Sequence, residues 1–237
     1  MSATTTVTAL AALARDERWL DNPVLRQRLP EATLETLAMT GVSGVLTAVL
    51  GVLVGVLLHG TAPGGIFPHR TVNSVLGAVV NLGRSMPFLI LMIAIIPFTR
   101  WVVGTSIGWQ AACVPLTIGA VPFYARLVET SLREVSPGKV EAALMMGATR
   151  GETVRKVLLP EALPGLVAGL TTTVIALIGY TAMAGAAGAG GLGDVAIIYG
   201  YNRFESDVMI VCVVLLVIIV TAVQVIGDVI ARRLDHR

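Results

Sequence analysis

Residues 36–58 contain no Asp, Glu, Lys or Arg, and this run sets the solvent in which the chain folds. A hydrocarbon core about 30 Å thick takes about 20 helical residues to cross. Inside it each backbone N–H and C=O must find a partner within the protein, which a single segment achieves only as a helix. The run therefore reads as a first membrane span. Charged residues make up 14% of the chain, whereas a soluble domain carries roughly 25%. The net charge of +2 gives a nucleic-acid partner no electrostatic support.

Four more spans follow. Residues 108–127, 162–184 and 208–226 are apolar and of membrane length. The second span is less regular. Only fifteen residues separate Arg84 from Arg100, so its helix is expected to begin earlier, near Ser74, with Arg84 facing protein or reaching the interface. Pro87 is expected to kink it. Pro115 and Pro122 mark the third span as one buried in a bundle, because each frees a carbonyl that neighbours must satisfy. Arg126 and Glu129 are expected to end that span. Gly51 and Gly55 form a G-x-x-x-G in the first span, which allows close helix approach. The chain is thus expected to be an all-α membrane protein with five transmembrane helices.

Residues 1–30 form a separate polar stretch, read as a surface tail or interfacial helix, ahead of a transmembrane domain over 31–237. They lack an apolar core followed by a small-residue cleavage site, so the later spans are expected to direct insertion. Five spans put the termini on opposite sides. With the N-terminus outside, the inside receives two Lys or Arg from loop 59–84, six from 126–161 and three from the C-terminal tail. The outside receives six. The positive-inside rule then favours N-out, C-in.

Several chemistries are excluded. Cys113 and Cys212 lie in separate apolar spans, and His59, His69 and His236 are scattered, so no metal-ligand spacing exists. Gly188-Ala-Gly190-Gly-Leu-Gly193 matches G-x-G-x-x-G, but a membrane helix precedes it where a nucleotide site needs a strand. Its glycines are expected to let backbone pack or bend at the end of the fourth span. There is no P-loop, no H-E-x-x-H and no pair of carboxylates inside a span. Catalytic, cofactor and metal residues are therefore none. Charges cluster at span ends, which argues against an ion-coupled pathway. A chain that moves a solute with no energy source of its own needs a partner to supply one.

Residues 140–165 suit that need, being the most charged stretch and lying between two spans. Pro137 and Gly138 break the chain, Val140–Met146 forms a short helix, and Gly147 stands at its C-cap. Thr149 and Glu152 have capping-box spacing, opening a second helix. Pro160 is placed to open the next one, with Glu161 in its first turn.

Glu141-Ala142-Ala143, followed by Gly147 and later by Leu159-Pro160, resembles the EAA signature of ABC-importer permease subunits. Further stretches resemble the methionine-importer permeases within that superfamily: Arg84-Ser-Met-Pro-Phe88, Ile96-Pro-Phe-Thr-Arg100, Val103-Gly-Thr-Ser-Ile-Gly108, Val154-Arg-Lys-Val-Leu-Leu-Pro-Glu-Ala-Leu-Pro-Gly165 and the glycine run. The likeness covers residues 31–233. Residues 1–30 are longer than the family's usual tail. Where the family often has Glu-Ala-x-x-Ala-Met-Gly-Ala, this chain has Glu141-Ala-Ala-Leu-Met-Met-Gly-Ala148.

The resemblance implies a type I ABC-importer permease fold. It also implies a homodimer with the pathway at its interface, two cytoplasmic ATPase subunits that hold ATP and Mg, and an external methionine-binding protein, periplasmic or lipid-anchored. It places the chain in a bacterial inner membrane. It assigns coupling to helices at 138–159, carried by Glu141, Ala142, Ala143, Gly147, Ala148, Thr149, Glu152 and Arg155. For the pathway, Tyr180, Thr181 and Met183 are the candidates, because they precede the glycine run where small residues leave room; Met183, soft and adaptable, could plug an outer gate. A permease for another amino acid or small solute, and a non-ABC channel or scaffold, are the competing readings.

Overall fold

The computed structural model describes residues 22–234. The expected tail or interfacial helix therefore falls largely outside the described residues, as does His236. What is described is helical: α1 (Pro23–Gln27), α2 (Leu29–Thr61), α3 (Arg70–Ser85), α4 (Phe88–Ala94), α5 (Ile96–Val103), α6 (Trp109–Arg133), α7 (Pro137–Met145), α8 (Arg150–Gly185), α9 (Gly191–Val195) and α10 (Ser206–Leu234).

Four of these, α2, α6, α8 and α10, are long and apolar enough to cross a membrane, and a fifth crossing arises if α3 and α4 count as one bent span. The expected kink at Pro87 is a turn of 105° between α3 and α4. Pro87 cannot donate to the helix ladder and pushes Met86 into extended backbone, so the first helix stops there. The broken stretch, with α5, carries the chain from one end of the bundle to the other. It leaves the end where Asn73 donates to the Leu58 carbonyl and arrives at the other, where Gly108 N–H donates to Gly188 C=O.

α2 and α6 form the central pair. A Cβ on Gly51 would meet the Tyr124 ring at 2.5 Å and one on Gly55 would meet Val128 at 2.5 Å, so the G-x-x-x-G is where α6 presses onto α2. Tyr124 Oη then donates to the Leu166 carbonyl of α8 at 3.1 Å, closing a three-helix core. α10 is mostly exposed apolar surface, as a helix solvated by lipid should be.

Some boundaries differ from expectation. α6 does not end at Arg126 and Glu129 but runs on to Arg133. Glu129 is only 2% exposed, and its carboxylate accepts from Arg126, at 2.5 Å, and from Arg133. The two cations offset the one buried carboxylate that the interior would otherwise reject, so the helix carries all three residues through. Nor does Pro160 open a new helix. The second docking helix and the fourth span are one 36-residue helix, α8. A π-turn at Val154–Leu158 lies just before Pro160, with Leu159 N–H donating to the Val154 carbonyl. The wider turn accommodates a ring that an ordinary α-turn would reject.

Candidate functional site

The predicted docking segment folds as a compact unit at one end of the bundle. Pro137 does not break the chain before α7; it opens the helix at a position where its missing N–H costs nothing. Gly147 adopts φ +87, and Gly147 N–H donates to Leu144 C=O while Ala148 N–H donates to Ala143 C=O. This is a Schellman cap. Among the described residues, apart from its own chain neighbours, nothing lies within 4 Å of where a Gly147 Cβ would stand, so glycine is required here for its backbone angle.

The capping box forms as read. Glu152 N–H donates to Thr149 Oγ1 at 3.3 Å, and Thr149 N–H donates to Glu152 Oε2 at 3.1 Å. Lys156 Nζ holds the other oxygen of Glu152 at 2.8 Å. The unit is tied to the spans in two ways. α8 is itself a span, and Lys139 on α7 bridges to Glu161 on α8 at 2.5 Å. Beneath, Val140 and Val154 pack on Leu132, Val135 and Leu158.

The structure divides the predicted coupling residues by exposure. Glu141, Ala142, Gly147, Thr149 and Arg155 are exposed, Ala148 and Glu152 are partly so, and Ala143 is buried against the bundle. Met145 and Met146 stand bare at the tip, 90% and 83% exposed. They stand beside exposed Leu144 and were not singled out as site residues. Two adjacent bare thioethers on a helix end are an adaptable apolar contact surface. The signal was in the sequence as an apolar pair inside the charged segment. Behind α7 lies a cavity of 300 Å³ lined by His59, Ile66, Arg133, Val140 and Glu141, among others.

The opposite end holds the predicted pathway residues, which do not share one surface. Tyr180 stacks on Phe88, with ring centroids 4.6 Å apart. Thr181 is 1% exposed and donates to the Ile178 carbonyl. Met183 alone lies open, at 49%. The glycine run folds back as expected: a Cβ on Gly193 would strike the backbone of Ala182. What holds it was not read from sequence. Glu35 Oε2 accepts from Gly191 N–H at 2.7 Å, and Thr36 Oγ1 accepts from Leu192 N–H at 2.9 Å. Burial, and then the charge of Glu35, push the Asp194 carboxyl above its ordinary value, against a smaller opposing effect of Arg28.

The described residues thus form a polytopic helical bundle with a capped, exposed helix pair at one end and a glycine-bearing turn at the other, the architecture of a membrane transport subunit. Residues 48–237 match the model of the binding-protein-dependent transport system inner membrane component family, and the chain belongs to that family. It is similar to the probable D-methionine transport system permease protein MetI of Vibrio cholerae, 54% identical over 206 residues, covering 87% of this chain and 92% of that protein. It is also similar to the methionine import system permease protein MetP of Bacillus subtilis, 49% identical over 221 residues, covering 93% and 99%. Among solved structures, an inward-facing MetNI methionine ABC transporter superposes with TM-score 0.89 at 52% identity, covering 91% of this chain and all of that one.

Proposed function

We propose that this protein is the permease subunit of an ATP-driven importer of methionine, L- and D-, and that α7 and the start of α8 couple it to a separate ATPase. The observation that carries the reading is the docking unit itself. It is capped at both helix ends, bridged to α8 by Lys139–Glu161, and continuous with a span, so a push on its tip moves that span. The names of its relatives supply the substrate.

Two copies of the chain form the pathway between them. Four or five crossings are few to enclose an amino acid, and C₂ is the commonest closed symmetry. The docking end faces the cytoplasm, the orientation that the Lys and Arg distribution favours. ATP and Mg sit in the ATPase, whose closure draws the paired docking units together. A methionine-binding protein delivers substrate on the far side.

Reconstitution with the ATPase and binding protein tests this. The expected result is ATP-dependent uptake of labelled methionine, competed by unlabelled L- and D-methionine. Uptake of a different amino acid with methionine ignored would overturn the substrate. Orientation is read with Met145→Cys: a membrane-impermeant thiol reagent should reach it in inverted vesicles and not in intact cells.

A further inference from the structure

A cavity of 60 Å³ lies between α4, α5, the start of α6 and the end of α8, at the end of the bundle away from the docking unit. Two glycine-bearing turns, 104–108 and 186–190, contribute to its wall and are joined by the Gly108–Gly188 backbone hydrogen bond at 3.0 Å. Much of the wall is apolar, including Met92, Ile96 and Pro115, and it carries no ionised side chain. One wall residue does not belong in such surroundings. Thr99 is 4% exposed and its hydroxyl makes no hydrogen bond. A buried hydroxyl without a partner is unfavourable, and this one is turned away from the open space, so swinging it onto an acceptor offered by a ligand relieves the cost.

Size narrows what that is. One water-sized group needs about 15 Å³ of such space, so the cavity holds about four heavy atoms. A lipid chain is far longer. A methionine side chain, –CH₂–CH₂–S–CH₃, has four heavy atoms, is unbranched and apolar, and carries one weak acceptor, the sulfur. Resting on the reading of this protein as a methionine permease, we infer that the cavity receives the side chain of the passing amino acid, with Thr99 Oγ1–H donating to the thioether sulfur. Staggered threonine rotamers exchange hydroxyl and methyl at one place on the wall, so the donor can be presented without moving the backbone. The charged head of the amino acid stays outside, on the side where Ala187 of the wall is exposed.

The test uses the complete transporter, with its ATPase and binding protein, in proteoliposomes. The first probe is the diazirine analogue of methionine, whose photoreactive group replaces the sulfur. It should label residues in 92–99 and 184–189. The second measurement is the ratio of methionine to norleucine uptake, since norleucine has CH₂ where methionine has sulfur. Thr99→Val should lower that ratio about two- to tenfold, the range of one net hydrogen bond. Its thermal stability should hold or rise, because valine keeps the shape without the orphan hydroxyl. A purely structural Thr99 would leave the ratio unchanged, and that result, or label only elsewhere while wild-type methionine uptake is normal, overturns the inference. Failure of wild-type methionine uptake defeats the parent reading instead.

Discussion

Gly147 holds φ +87 in open space, a combination that separates backbone strain from crowding by a partner. Gly147→Ala should cost about 1–2 kcal/mol through the left-handed angle alone. Gly147→Leu adds bulk beyond a Cβ that has no described neighbour within 4 Å, so a further loss is expected to arise against the ATPase. We expect both variants to assemble, with uptake falling more in Gly147→Leu while ATP hydrolysis continues; parallel uptake and ATPase assays check this. Asp194 poses the opposite problem. Its folded pKa lies above the unfolded value of 3.8, so ionisation opposes folding at neutral pH. That penalty fades as pH falls through the raised value and is gone below 3.8. Asp194→Asn should therefore melt higher than wild type at pH 7, with the difference shrinking on acidification. At this scale the capping box was legible, because Thr149 and Glu152 are three residues apart and meet through local geometry. The Glu35–Gly191 contact was not, since it joins residues 156 apart in the chain.

Among the elements, α8 decides how movement at the tip reaches the membrane. The expectation of separate helices at Pro160 followed a sound local rule. The π-turn at Val154–Leu158 evaded it by widening the ladder, leaving one lever where two pieces were expected. Lys139–Glu161 then fixes α7 to that lever. An exposed pair contributes under about 1 kcal/mol to stability, so Lys139→Glu should barely change the melting temperature. It should reduce uptake per ATP hydrolysed, and adding Glu161→Lys should restore the ratio. Equal loss in the single and double variants would show that the bridge is not part of the coupling. The bend at Pro87 shows the same limit in another form: the proline announced a kink, but nothing in the local sequence set its 105°. Packing of Phe88 and Leu91 beside Gly119 on α6 receives the redirected helix.

For the whole molecule, the Arg126–Glu129–Arg133 cluster is the clearest case of a feature only assembly explains. Read along the chain, three charges mark the end of a span. In the fold both arginines pair with the one buried carboxylate, and Arg126 also donates to Asn81 of α3 at 2.7 Å, tying the bent stretch to the central helix. Glu129→Ala leaves two partly exposed cations facing each other at the edge of the core and removes their charged hydrogen-bond acceptor, which should destabilise the protein by about 1.5–3 kcal/mol. Thermal unfolding in detergent measures it; a loss below 1 kcal/mol would mean the cluster is solvated. The sequence by itself determined the solvent, the number of apolar runs, the position of the docking segment and its caps. Each of those depends on residues within a turn or a span of one another, where periodicity and charge speak directly. Tertiary structure decided which coupling residues are exposed, what clamps the glycine run, which charges are paired inside, and that Thr181 lies in the interior while Met183 lies open. Those depend on contacts between helices far apart in the chain, and hydropathy, the same on every apolar face, carries no record of which face meets which.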